Sequence, residues 1–265
     1  ESIDPPLRAI MNKLPEDEQW FLTERLYWLT KRSGENYYRY IGRMLSEACR
    51  TPEAVRVKLA DRLDNTLDMR MDFRHANDNI DFFEELFQMM FLPSYHPNKS
   101  NFAHPSHSAM DGSERLYQLY KNIVLISLVR QKKAAEDDAI SITLFKILIQ
   151  ASIKEAKRIA QHIFSYHQTN ITRMRELVIE TMQYIMEGGI DAVTAPTLGK
   201  MLDGLFLKWF NEPDRRVRTR NLAELYKDKD LMVEASIAFI VIFYRFLDDP
   251  AYFVHGISEE GIKVE

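Results

Sequence analysis

Lys58, Asp61, Asn65 and Asp68 are spaced three, four and three residues apart. On an α-helix that spacing gathers Asp61, Asn65 and Asp68 into one polar stripe with Lys58 beside it, and turns Leu59, Ala60, Leu63, Leu67 and Met71 the other way. A carboxylate is a hard anionic oxygen donor of the kind divalent cations take, and a carboxamide hydrogen-bonds a ligand oxygen without adding charge. One face thus reads as core and the other as free for chemistry. The same spacing also describes an amphipathic helix whose polar side meets only water, and periodicity leaves both readings open.

Other residue groups carry weaker chemical signals. His96, His104 and His107 lie eight and three residues apart in a segment rich in Ser and Asn; a zinc site is conceivable there, but loop histidines without Cys or acid partners are more commonly solvated. His162 and His167 are five apart on a helical pattern and share a face poorly. Cys49 is the sole cysteine, which excludes an intrachain disulfide and a cysteine-cluster zinc site; it reads as a small buried residue. Arg215, Arg216, Arg218 and Arg220 are the densest basic cluster, bounded by Asp214 and Glu224. A solvated helix start with ion pairs is the plain reading, and an anion-binding patch for a phosphorylated nucleotide the sharper one. Tyr37, Tyr38 and Tyr40 could stack on a base, but their pattern fits packing within a helical domain better.

The elements that must position these residues are helical. Pro15 followed by Glu16, Asp17 and Glu18 opens a helix that runs through Trp20, Leu22, Leu26 and Leu29 to Ser33-Gly34. A second begins at Glu35 and carries Tyr37, Tyr38, Tyr40, Ile41, Met44 and Leu45. Thr51-Pro52-Glu53 restarts the chain with Thr51 as N-cap and Pro52 in the first turn, and the helix it opens contains Asp61 and Asn65. A helix is expected over about 80–91. Residues 92–108, with their Pro, His, Ser and Asn, form the best loop or boundary candidate. Further helices are expected from Ser113 through Val129, from about Asp137 to His167, from Ile171 to Glu187 before Gly188-Gly189, through Leu202 to Trp209, from Asp214 to Asp228, and from Leu231 to Leu247.

With 265 residues, 46% hydrophobic and 28% charged, the chain has ample length to bury a core. Nine Gly and ten Pro are few for that length and favour long elements over tight turns, hence an all-α fold. A net charge of −4 gives no general electrostatic drive toward nucleic acid. No secretory signal is visible at the acidic start, and the most apolar run, Ala235 to Leu247, contains Arg245 and is too short for a hydrocarbon core of about 30 Å. The chain therefore reads as cytoplasmic, without membrane or nucleic-acid partners. No internal repeat, phosphate-binding glycine loop or His-Glu-x-x-His pattern is present.

Leu29-Thr30-Lys31-Arg32-Ser33-Gly34-Glu35-Asn36-Tyr37, then Tyr40-Ile41-x-Arg43, then Val57-Lys58-Leu59-Ala60-Asp61-Arg62-Leu63-Asp64-Asn65 occur in order. Together these words resemble the second half of an HD-superfamily phosphohydrolase, most closely the RelA/SpoT-type guanosine polyphosphate hydrolase branch. The resemblance covers roughly residues 1–75. In that family an upstream His, a His-Asp pair and a later Asp hold one divalent metal, usually manganese, which lowers the pKa of a bound water and polarises a phosphoryl oxygen. The resemblance makes Asp61 the later metal ligand and turns Asn65 toward the nucleotide or the metal shell. It also implies metal-dependent hydrolysis of a phosphate or pyrophosphate ester, with guanosine tetra- or pentaphosphate as substrate.

The chain departs from that pattern, since no His precedes His75. Glu1-Ser2-Ile3-Asp4 is read as the remnant of the acidic word that closes the His-Asp motif, so the missing ligands are expected upstream of Glu1. The resulting expectation is an incomplete HD-type domain over 1–92, a linker or loop over 93–109, and a helical domain of unassigned role over 110–265, with self-association or regulation left to its helices. The alternative is a non-catalytic helical regulatory or interaction protein that kept the fold and lost the metal.

Overall fold

A computed structural model describes residues 5–47, 51–68, 112–167, 170–184, 205–254 and 256–262. The helices are α1 (Pro5–Met11), α2 (Glu16–Leu29), α3 (Tyr37–Ser46), α4 (Pro52–Asp68), α5 (Gly112–Gln131), α6 (Ala139–His167), α7 (Ile171–Tyr184), α8 (Arg215–Lys227) and α9 (Lys229–Asp248). A π-helical turn, Phe206–Phe210, precedes α8, and a small antiparallel hairpin, β1 (Ile257–Ser258) with β2 (Gly261–Ile262), follows α9. The chain is mostly helical, as composition suggests. The hairpin was not foreseen; its strands are too short to leave a period-two pattern. Gly42 of α3 lies directly under Glu259 of this hairpin, where a Cβ would collide with the Glu259 side chain.

The organising element is α5. Leu116, Leu119, Tyr120 and every residue from Asn122 to Val129 are buried. Around it α6 and α9 pack against each other most extensively, α4 lies along α6, and α3 and α8 lean on α5. The burial of Leu, Ile, Val and Phe side chains supplies the main stabilisation, about 1.5–3 kcal/mol for each one fully enclosed. The core is continuous: Tyr38, Ile41 and Met44 of α3 and Val55 and Leu59 of α4 belong to the same cluster as the apolar side chains of α5, α6 and α9. The expected divider, 93–109, and the His96, His104 and His107 group lie outside the described residues, as does Cys49.

Several ends are set by side chains. Asn36 caps α3, its Oδ1 accepting from Arg39 N at 2.9 Å. Asp228 caps the start of α9, accepting from Leu231 N. Arg130, in the last turn of α5, donates to the Phe246, Asp249 and Tyr252 carbonyls, satisfying oxygens left open at the end of α9. Pro52 starts α4 as anticipated, but the Thr51 hydroxyl donates backwards to Glu47 O at 2.8 Å. The second helix stops at Leu29, before Ser33-Gly34, and Gly34 supplies a left-handed turn (φ 73°) within the loop that follows.

The buried face of α4 differs from the one periodicity selects. Val55, Leu59, Arg62 and Thr66 are buried, whereas Ala60 and Leu67 are exposed. The cause is a polar lock to the neighbouring helices. Arg62 Nε donates to Asn122 Oδ1 at 2.8 Å, while its Nη1 and Nη2 donate to Gln118 Oε1 and Gln118 O. Asn122 Nδ2 in turn donates to Thr66 Oγ1 at 2.8 Å and to Ser152 Oγ of α6 at 2.9 Å. A guanidinium so satisfied can occupy a helix position that hydrophobic periodicity would assign to an apolar side chain.

Because Asn122 joins α4, α5 and α6, Asn122→Ala should cost about 2–3 kcal/mol by leaving buried donors and acceptors without partners. Combined with Arg62→Ala, the loss measured by denaturant unfolding should fall short of the sum of the single changes, since both remove one network. Strict additivity would show that the network does not act as a unit.

Candidate functional site

With Arg62 and Thr66 turned inward, Asp61 and Asn65 face outward on α4, and both are exposed. Asp61 Oδ2 accepts from Lys58 Nζ at 2.7 Å, and Asp61 Oδ1 accepts from Asn65 Nδ2 at 3.0 Å, so both carboxylate oxygens are engaged. Asn65 Nδ2 also donates to Asp61 O, one helical turn back. Partial burial works against the charged form of Asp61. The Lys58 ammonium, the nearby Arg62 guanidinium and the Asn65 amide nevertheless hold its carboxyl below the usual range. Of Asp68 the structure describes only its place at the end of α4.

The loop before α3 is tied to this face from the other side. Glu35 accepts from Arg43 Nε at 3.0 Å, from Arg43 Nη2 at 2.9 Å and from the Arg32 backbone N–H. Arg43 Nη2 also donates to Thr30 O, and Tyr40 Oη donates to Leu29 O at 2.6 Å. The residues Leu29, Thr30, Arg32, Glu35, Tyr40 and Arg43, scattered through two of the sequence words, therefore act as one clamp on the α2–α3 connection. The bidentate Arg43–Glu35 pair holds the Glu35 carboxyl low. Tyr37 and Tyr40 pack edge to face, and the Lys58 ammonium lies 5.1 Å from the Tyr40 ring centroid and 6.0 Å from that of Tyr37. Burial pushes the Tyr40 phenol up to about 12 and raises that of Tyr37 as well.

The C-terminal half reaches the same place. On α5, Tyr117 lies one turn before Lys121, whose ammonium is 5.2 Å from the Tyr117 ring centroid. The Arg218 guanidinium of α8 lies 5.0 Å from that centroid and donates to Glu212 O at 2.8 Å. Phe210 stacks on Tyr117 with a centroid separation of 6.1 Å and fixes the ring. The arginine cluster is thereby split: Arg218 is half-buried over Tyr117, while Arg215, Arg216 and Arg220 are exposed. Asp214 caps α8, accepting from Arg216 N and Val217 N, which places Arg218 on the inward side.

Lys121 is the most perturbed member. Burial, together with the charges of Arg62, Lys58 and Arg218, brings its ammonium down to about 7, with Asp61 pulling the other way. Lys31, in the α2–α3 loop, is lowered by burial and by Arg218. Cations of α4 and α8 thus act together on Lys121 of α5, and Arg218 of α8 acts in turn on Lys31 of the loop, in a chain whose net charge is −4. Lys121 and Arg218 were not singled out together by the sequence, because nothing local marks Lys121 and only the fold brings α8 to α5.

No protein-family model, curated protein or solved structure matches this chain.

Among the described residues no group of His, Cys, Asp or Glu stands together as a metal site. Asp61, singled out as a metal ligand, has Lys58 and Asn65 on its two oxygens and cations around it, and a mononuclear site needs several protein ligands. The described residues therefore do not fit a manganese ion by themselves. His162 is half-buried on α6, and no helix of the described residues is long and apolar enough to cross a membrane.

The lowered pKa of Lys121 has a signed consequence. Between pH 7 and about 10.4, the unfolded chain keeps a proton that the folded chain has released, so folding stability should rise with pH across that window. Lys121→Met should raise the melting temperature at pH 6 in a phosphate-free buffer, and the gain should shrink by pH 9. A lower melting temperature at pH 6 would mean that the ammonium is well solvated or paired.

Proposed function

We propose that this chain carries the nucleotide-facing part of an HD-type phosphohydrolase, acting on a phosphate or pyrophosphate ester of a nucleotide. Guanosine tetra- or pentaphosphate is the substrate that the resemblance implies. The observation that carries this reading is the outward pairing of Asp61 with Lys58 and Asn65, on a face that Arg62 holds in place and that several cations border. The sequence words of the resemblance have matching physical roles, since the first two together make the Glu35–Arg43 clamp and the third the exposed Asp61–Asn65 face.

In this reading Asn65 can offer its amide to a ribose or phosphate oxygen by releasing Asp61, and Lys58, whose largely buried side chain now pairs with Asp61, can exchange that partner for a phosphate. Manganese enters this proposal through the resemblance alone.

A second reading, a non-catalytic helical regulator that binds the same ligand, is favoured by the cations that surround Asp61 and by the lack of a metal-ligand group among the described residues. One assay separates the two. Full-length protein should release pyrophosphate from guanosine tetraphosphate in the presence of manganese, and Asp61→Ala should lower that release by about 100-fold or more. Undiminished release by Asp61→Ala would remove Asp61 from the site. Nucleotide binding without release, with or without manganese, would establish the regulator.

A further inference from the structure

We propose that Lys121 and Arg218, aided by Lys58, form a cradle for the pyrophosphate group of a small polyphosphorylated anion, seated against Tyr117 beside the Asp61–Asn65 face. This rests on the reading of that face as nucleotide-facing, and it assigns the phosphate contacts to the C-terminal half of the chain.

Lys121, Tyr117 and Arg218 lie outside the resemblance, which ends before α5. Lys121 is half-buried, yet among the described residues its ammonium has no hydrogen-bond or ion-pair partner, only the face of Tyr117. Arg218 lies over the same ring and uses Nη1 on the Glu212 and Pro213 carbonyls. Arg62, buried behind them, is satisfied wholly by neutral oxygens of Asn122 and Gln118, so no described carboxylate offsets its charge directly. Tyr37 adds a hydroxyl that is buried and without a hydrogen-bond partner among the described residues, within the fields of Arg62, Asp61 and Tyr117.

Like charges brought together in a partly enclosed place repel, and the cost is relieved when an anion enters. Asp61 supplies a single negative charge to Lys58, Arg62 and Lys121, and Lys121 also feels the charge of Arg218. A pyrophosphate group, with several negative oxygens spread over two phosphorus centres, can meet Lys121 and Arg218 at once, whereas a single phosphate meets fewer of them. The lowered proton affinity of Lys121 agrees with this, since an arriving anion would restore the ammonium and so couple binding to proton uptake.

Isothermal titration of the whole chain in EDTA, without metal, tests the cradle directly, using inorganic pyrophosphate, inorganic phosphate and GDP as probes. Pyrophosphate should bind more tightly than phosphate. Lys121→Met and Arg218→Met should each weaken pyrophosphate binding by about tenfold or more. Thermal unfolding of the variants verifies their folding, and Lys121→Met is expected to be at least as stable as the parent near neutral pH. Absence of pyrophosphate binding to the parent, or binding that neither Lys121→Met nor Arg218→Met weakens, would overturn the proposal. So would phosphate binding as tight as that of pyrophosphate. The hydrolase reading stands or falls separately: pyrophosphate bound through Lys121 and Arg218 by a protein that releases no product with manganese would keep the cradle and discard the hydrolysis.

Discussion

The buried Arg62 guanidinium is the constraint on which the rest of the arrangement depends. It occupies a core position on α4, and its neutral partners, Asn122 and Gln118, belong to α5. An enclosed cation is tolerated only where hydrogen bonds satisfy it, so α4 has little freedom to rotate about its axis relative to α5. Fixing that rotation fixes which residues look outward. Were α4 turned to bury Ala60 and Leu67, Arg62 and Thr66 would be drawn away from Gln118 and Asn122, leaving those buried groups without partners.

The same cation has an electrostatic effect beyond its contacts. It helps keep the Asp61 carboxyl ionised and helps depress the proton affinity of Lys121. A structural lock and a charged site thus share one residue. The Glu35–Arg43 clamp does comparable work on the other side by bringing Lys31 within the field of Arg218. Neither device needs a long stretch of specialised sequence. Each uses a long polar side chain to tie together elements that apolar packing alone would leave free to slide.

Much of the helical pattern was legible in the sequence, because Pro52, Asn36, Asp214 and Asp228 sit at the ends of segments with clear apolar spacing. The exposed pair Asp61–Asn65 was legible too, from its one-turn separation. Arg62 was not: a charged residue in a helix is read as solvent-facing unless a partner is known, and its partners lie some sixty positions away at Gln118 and Asn122. Leu67 was misread for the complementary reason, since a leucine was assigned to the core although the lock turns it outward. Arg218 was legible only as one of the arginine cluster and Lys121 not at all, for their meeting over Tyr117 depends on how α8 returns to α5. The hairpin after α9 carries too few residues to show a strand pattern.

A crystal structure of the protein grown with GDP tests most directly whether these convergent cations serve a phosphorylated ligand. The account predicts a phosphate oxygen within hydrogen-bonding distance of the Lys121 ammonium and the Arg218 guanidinium, with the nucleoside extending toward Asn65. A carboxylate of the chain itself seated on Lys121, with GDP bound elsewhere or not at all, would contradict it.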